Sequence, residues 1–424
     1  MSGPAESPPD NAAPAPGRGG LRPESLAMSA LLTAMVALAP FAVDMFLPSM
    51  PAMARAFDTP PARVQLTVTL FIFTYAVSQL VFGPFSDRFG RRPMMLSGLV
   101  LFTLAGIACL VAPTINVLIA ARAVQGFAAG SGPVLGRAVV RDVYERERAA
   151  RVLAYMASAM AMAPILAPIV GGFLQVGLGW RSVFAVLTGL GLVLLLPVWA
   201  GVPETNRRLD AAALAPRRML ANYAVLLRNR AYVGYTLVVA FMFAGQFAFI
   251  SGSAFVLVDI VGVSPDVFGF CFGFVAFGLM TGAFLAGRIT LRLGVNRLIG
   301  LGTALGTAAG LLLAVLNWGA APSVWSIVLP MYGFAVGAGL VMPSAMAGAI
   351  SPFPHMAGLA SAVLGFLQMA ASALYAMGVG AWYDGTARPM TVAIAMAATG
   401  ALLAFHLAAP YRVTPGEDPS TDAA

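Results

Sequence analysis

The chain has 424 residues, 59% of them hydrophobic and only 10% charged, with a mean hydropathy of +0.85, whereas soluble globular chains are about 45–50% apolar and about 25% charged. This excludes a soluble protein; twelve spans of about 20 residues would use about 240, leaving short loops and tails but no sizeable extramembrane domain. The 25 basic residues are all arginine and face 17 acids, for a net charge of +8, an excess that in a membrane chain sets topology and calls for no nucleic-acid partner.

Residues 1–24 are rich in Pro, Ala and Gly and cannot bury enough apolar surface to fold. They read as a disordered tail, and they lack the basic start, short apolar core and cleavage site of a signal peptide. Apolar stretches then recur between short polar breaks, predicting helices at roughly 26–50, 63–83, 94–112, 114–138, 152–175, 181–200, 231–258, 266–288, 297–317, 322–345, 357–380 and 389–409. Helix is the form that satisfies every backbone polar group within hydrocarbon. The expected organisation is an all-α polytopic membrane protein of twelve transmembrane helices in two pseudo-symmetric six-helix halves. The halves cover residues 25–200 and 231–409, with a linker at 201–230 and a second tail at 410–424.

With a cytoplasmic N-terminus, 20 arginines fall inside, four (Arg55, Arg63, Arg181, Arg388) fall outside, and Arg122 lies within a helix. The positive-inside rule then places both termini in the cytoplasm. The halves carry a repeat. Gly83 to Gly90 follows the second helix and Gly287 to Gly294 follows the eighth, both at an offset of 204 residues. Parallel repeats meeting at the midplane are a frequent transporter architecture.

Charge inside the bilayer is costly, about 2.5–3.5 kcal/mol at a helix centre, so the two such residues carry the strongest functional signal. Asp44 lies between Pro40 and Pro48, one turn away on either side. Prolines there loosen the backbone ladder and admit water, and an acid so placed is a candidate proton carrier; the alternative is a carboxylate solvated at the outer mouth. Arg122 shares a helical stripe with Gln125, Gly126 and Ala129, which must face a cavity or another helix. It either tunes the protonation of Asp44 or bonds to neighbouring carbonyls as a structural cation. The fifth helix carries Pro164, Pro168, Gly171 and Gly172, a bendable segment with a flat packing face. Asp87, Arg88, Arg91 and Arg92 crowd one tight turn, where an acid among bases points to a gate contact. Tyr75, Gln79, Gln246, Phe249 and Gln368 are candidate cavity-lining, substrate-binding residues, as is Gln125 on the Arg122 stripe, although each also suits packing.

Cys109 and Cys271 lie in apolar runs and imply no disulfide framework. His355 and His406 are far apart, and neither a metalloprotease motif nor a P-loop occurs. No cofactor, metal or enzymatic activity is expected.

Together the motifs resemble the major facilitator superfamily, in particular its drug:proton antiporters. Gly83 to Arg92 resembles the loop signature between helices two and three, Arg122 to Gly126 the fourth-helix basic motif, and Ala163 to Gly172 a variant of the fifth-helix antiporter motif that opens Ala-Pro. Asp44 to Pro51, Val202 to Thr205 and Phe353 to Gly365 resemble the bicyclomycin/chloramphenicol resistance (Bcr/CflA) family. The resemblance implies proton-driven efflux of small lipophilic drugs across the bacterial inner membrane, by a protein expected to be a monomer. Asp44 would be the proton carrier coupled through Arg122. Asp87 would meet the start of helix eleven in the outward-open state, and Arg91 would pair with Asp142 at the end of helix four. Leu291 replaces the second-half counterpart of Asp87, so the equivalent gate there is expected to be weak. A proton-coupled importer or metabolite exporter on the same fold is the alternative reading.

Overall fold

In a bilayer each backbone N–H and C=O must find its partner inside its own segment, and the apolar runs do so by folding as helices. The computed structural model describes residues 25–206, 209, 223–319 and 321–408, with no strand among them. The first half comprises α1 (Leu26–Asp44), a 3-10 turn (Leu47–Ser49), α2 (Met50–Ala56), α3 (Pro61–Phe89), α4 (Arg91–Leu110), α5 (Ile115–Ala129), α6 (Ser131–Val143), α7 (Arg146–Leu178) and α8 (Arg181–Gly201). The second half comprises α9 (Arg230–Ala254) continued by a π turn (Phe255–Ile260), α10 (Pro265–Leu293), α11 (Val295–Leu316), α12 (Val324–Ile350), α13 (Ala357–Ala381) and α14 (Arg388–Leu407). The expected tails at 1–24 and 410–424 lie outside the described residues, as does half of the expected linker, 207–208 and 210–222.

Eleven described helices are long and apolar enough to cross a membrane. The twelfth crossing is α5 followed by α6, where the sequence predicts one unbroken helix. The break goes with one local contact and with close packing on another helix. Ser131 Oγ donates to the Ala128 carbonyl at 2.7 Å, while Gly126 and Gly130 bring this span against α3: a Cβ at Gly126 would strike the Phe71 backbone, and one at Gly130 the Ser78 hydroxyl. Small residues four apart allow such close approach between membrane helices.

The repeat is structural. Helices α3 and α10 both start and both end 204 residues apart, at Pro61 and Pro265 and at Phe89 and Leu293. Each is closed by a glycine at positive φ, +100° at Gly90 and +79° at Gly294, a conformation that a side chain disfavours. Six crossings in each half bring the first and last described helices to one face, here called the terminus face. The halves meet along α3 with α13 and along α7 with α10.

The α7–α10 seam is close because both surfaces are small. A Cβ on Gly172 would collide with the Pro265 carbonyl, one on Gly269 would collide with the Pro168 carbonyl, and Gly273 lies against the Ile165 carbonyl. On the same stretch of α7, Gly171 lies against the Met45 backbone. These contacts cluster towards the face opposite the termini. There Arg55 also donates to Asp259 at 2.9 Å. These two residues are 204 apart, so equivalent positions of the two halves touch each other. Such a contact occurs only close to the axis that relates the repeats.

Candidate functional site

Helix α1 runs through Pro40 and stops at Asp44; the chain restarts as a 3-10 turn with Pro48 in its first positions. Asp44 thus sits where the ladder is interrupted, 4% exposed, on the wall of a cavity of about 170 Å³ between the halves. Val43 and Asp44 of α1, Phe71 and Tyr75 of α3, Pro164 of α7, Gln246 and Phe247 of α9, Phe272 of α10 and Met369 of α13 contribute to this wall. Most of it is apolar, with Asp44, Tyr75 and Gln246 as its polar groups. Gln246 Oε1 is buried without a hydrogen-bond partner, a costly arrangement unless water or a ligand reaches it. The volume is below the roughly 300–1,000 Å³ of sites for drug-sized ligands, so this state is contracted.

Arg122 is fully buried. Its Nη1 donates to Gln125 Oε1 at 2.8 Å, and its guanidinium lies 4.3 Å from the ring centres of both Phe46 and Phe71. Cation–π contacts of this kind reach about 2 kcal/mol when desolvated. Nε and Nη2 have no hydrogen-bond partner, and Arg122 forms no ion pair with Asp44 among the described residues. Phe71 faces both the guanidinium and the cavity, and so stands between the cation and the cavity that Asp44 lines.

The structure divides the other candidate residues. Tyr75, Gln246 and Pro164 line the cavity. Gln125 does not: the stripe it shares with Arg122 faces into the first half, where its carbonyl is used by the guanidinium, and this corrects its expected place on the cavity wall. Phe249 is also off the wall, stacked on Phe272 at 5.6 Å inside the second half. Gln79 bridges α3 and α13, its Nε2 3.2 Å from Met369 Sδ, and Gln368 is buried beside it in sequence terms at Met369 without lining the cavity itself. Pro168, Gly171 and Gly172 belong to the packing described above.

At the terminus face, Arg91 is a fork. Its Nε donates to Asp142 at 3.0 Å and its Nη1 to Asp87 at 2.6 Å, with Ser86 Oγ also accepting from Nη1. Asp87 is therefore engaged by Arg91 in this state. The start of α13, the expected outward-state partner of Asp87, has Arg141 as its neighbour at Gly358. Arg88 is exposed and lies over Phe89. The repeat equivalent of Asp87, Leu291, is 95% exposed, and no matching charge fork stands at this turn among the described residues of the second half.

Three features escaped sequence reasoning. The aromatic cage needs Phe46 and Phe71 from separate helices. The Arg55–Asp259 contact was encoded in the same 204-residue offset as the glycines. The third is Glu204, whose carboxylate accepts from the backbone N–H of Arg91 at 2.8 Å and of Arg92 at 3.1 Å, closing the start of α4, which has no side-chain cap of its own.

The sequence profile of the Major Facilitator Superfamily matches residues 32–376. The chain is 34% identical to multidrug resistance protein D of Escherichia coli K12, over 82% of this chain and 86% of that one. It is 30% identical to the bicyclomycin resistance protein homolog of Haemophilus influenzae, over 87% and 92% respectively, and 32% identical to a chloramphenicol resistance protein of Pseudomonas aeruginosa, over 78% of each. Among solved structures, a bacterial homolog of the human lysosomal transporter Spinster, inward-facing and occupied, superposes with a TM-score of 0.74 at 16% identity, covering 94% of this chain and all of that one. A D-xylose–proton symporter gives 0.72 at 16% identity, covering 92% and 98%. At such identities the two structures speak for the fold alone.

Proposed function

This chain belongs to the Major Facilitator Superfamily, and we propose that it exports small lipophilic drugs, of the kinds handled by chloramphenicol and bicyclomycin resistance proteins, in exchange for protons. The carrying observation is Asp44: a nearly buried carboxylate at a helix break, on an otherwise apolar cavity wall between the two halves. Drug and proton compete for this cavity. Facing out, Asp44 takes a proton as drug leaves; facing in, it gives the proton up as drug enters. Each charge moved draws about 2.3 kcal/mol per 100 mV of membrane potential.

The contacts support the rest of this reading. Arg122, held by Phe46, Phe71 and Gln125, keeps a positive charge behind the Phe71 wall and serves as the coupling residue of the carrier. Opening towards the face opposite the termini separates Gly172 from Pro265, Gly269 from Pro168 and Arg55 from Asp259. Closing the terminus face releases Asp87 from Arg91 to engage the start of α13, a favourable contact with a helix N-terminus. In this reading the terminus face is cytoplasmic, as the arginine distribution supports, and the protein lies in the bacterial inner membrane.

The test is uptake of chloramphenicol and of ethidium into everted vesicles energised by a proton gradient. Wild type should accumulate drug and release it when the gradient is collapsed. Asp44→Asn at equal abundance should bind drug but not concentrate it. Concentrative uptake by Asp44→Asn at the wild-type rate would refute the carrier assignment.

A further inference from the structure

Helices α9 and α14 pack side by side and leave between them a groove of about 510 Å³ on the outside of the second half. The groove shares no lining residue with the central cavity. Its walls are hydrocarbon: Leu237 is 45%, Leu403 57% and Leu407 78% exposed, the last two on α14 facing the first across the groove. One lining residue is charged. Arg230, the first residue of α9 and exposed, stands at the mouth on the terminus face.

The length of the groove identifies its occupant. From Arg230 to Phe241, the deepest lining residue on α9, the helix rises about 16 Å at 1.5 Å per residue, about half of a hydrocarbon core about 30 Å thick. The groove thus spans one leaflet, with its cation at headgroup depth and its inner end near the midplane, the profile of a phospholipid acyl chain below an anionic headgroup. A compact drug needs neither that length nor that charge.

We infer that the α9–α14 groove is a binding site for an anionic phospholipid of the terminus-face leaflet, with one acyl chain between Leu237 and Leu403 and the headgroup phosphate at Arg230. The basic leaflet-facing end attracts anionic lipid by about 1 kcal/mol for each arginine near the surface. Burial of chain methylenes against the leucines holds the lipid once it has arrived.

Native mass spectrometry of the purified full-length chain tests this, using equimolar phosphatidylglycerol and phosphatidylcholine of identical chains, with palmitate as competitor. Wild type should retain one phosphatidylglycerol in preference to phosphatidylcholine. Arg230→Gln should lower that retention about fivefold, the worth of one arginine near an anionic surface. Arg230→Lys should keep it, and Leu403→Trp, which narrows the groove, should lower retention of both lipids; each variant should elute as a monodisperse species. Equal retention of the two lipids, retention unchanged by Arg230→Gln, or displacement by palmitate at equal concentration would each overturn the assignment. Retention needs no transport, so this result stands or falls separately from the export reading.

Discussion

Glu204 offers a sharp test of how the start of the linker controls the charged turn at the terminus face. Its Oε1 accepts from the Arg91 and Asn206 backbone N–H groups at 2.8 and 2.9 Å, and its Oε2 from that of Arg92 at 3.1 Å. It caps α4 from more than a hundred residues away in sequence. The segment holds the turn at further points: the Asn206 side chain donates to the Ser86 and Asp87 carbonyls at 3.3 and 3.2 Å, and Thr205 to Asp142 at 3.3 Å. Loss of an N-cap costs about 0.5–2 kcal/mol, and the favourable placement of an anion at a helix start adds about 0.3–1 kcal/mol. Because these bonds are solvent-exposed, the lower part of that range applies, about 1 kcal/mol in total for Glu204→Ala. That amounts to about a fivefold rise in the local opening equilibrium of the first turn of α4. Hydrogen–deuterium exchange of peptides covering residues 86–95 reads it directly. Exchange should quicken about fivefold there, while peptides within α11, the repeat counterpart of α4, stay unchanged. Unaltered exchange at the start of α4 would refute the cap, and an equal rise in α11 would show general destabilisation in its place.

Two further outcomes follow from the seam opposite the termini. Gly172→Leu should abolish drug uptake at wild-type abundance, because the Pro265 carbonyl occupies the position of the new Cβ and the halves can no longer close there; probe labelling of a cysteine in the central cavity should then increase from that face. For the exposed Arg55–Asp259 pair, a double-mutant cycle should give a coupling below about 1 kcal/mol, with Arg55→Asp slowing transport and the added Asp259→Arg restoring it. A charge reversal without effect, or a double variant slower than either single one, would show that this contact does not act as a latch.

The helical class, the crossings and the repeat were legible in the sequence, because hydrocarbon imposes a one-segment solution on every apolar run and the 204-residue offset recurs in glycines that the backbone needs at positive φ. Asp44 and Arg122 stood out for the same reason: charge is rare where it is expensive. Periodicity could not say which neighbour each stripe would face. Gln125 follows Arg122 by one helical turn, but whether that face meets the cavity or the interior of the first half depends on how α5 docks on α3, through Gly126 and Gly130. The break between α5 and α6 has the same origin, since local hydropathy carries no record of a distant Phe71 backbone.

What the sequence alone determined was therefore a set of one-dimensional quantities: which segments enter the bilayer, where charge is tolerated, and how the halves repeat. Tertiary structure decided what each polar group meets. Arg122 found two aromatic rings and Gln125, Arg91 found two acids on different helices, Glu204 found another helix's uncapped start, and Arg55 found its own repeat counterpart, Asp259. Apart from the local pairs Arg122–Gln125 and Arg91–Asp87, these contacts join residues far apart in the chain, and their geometry is set by small-residue helix packing that individual segments do not encode.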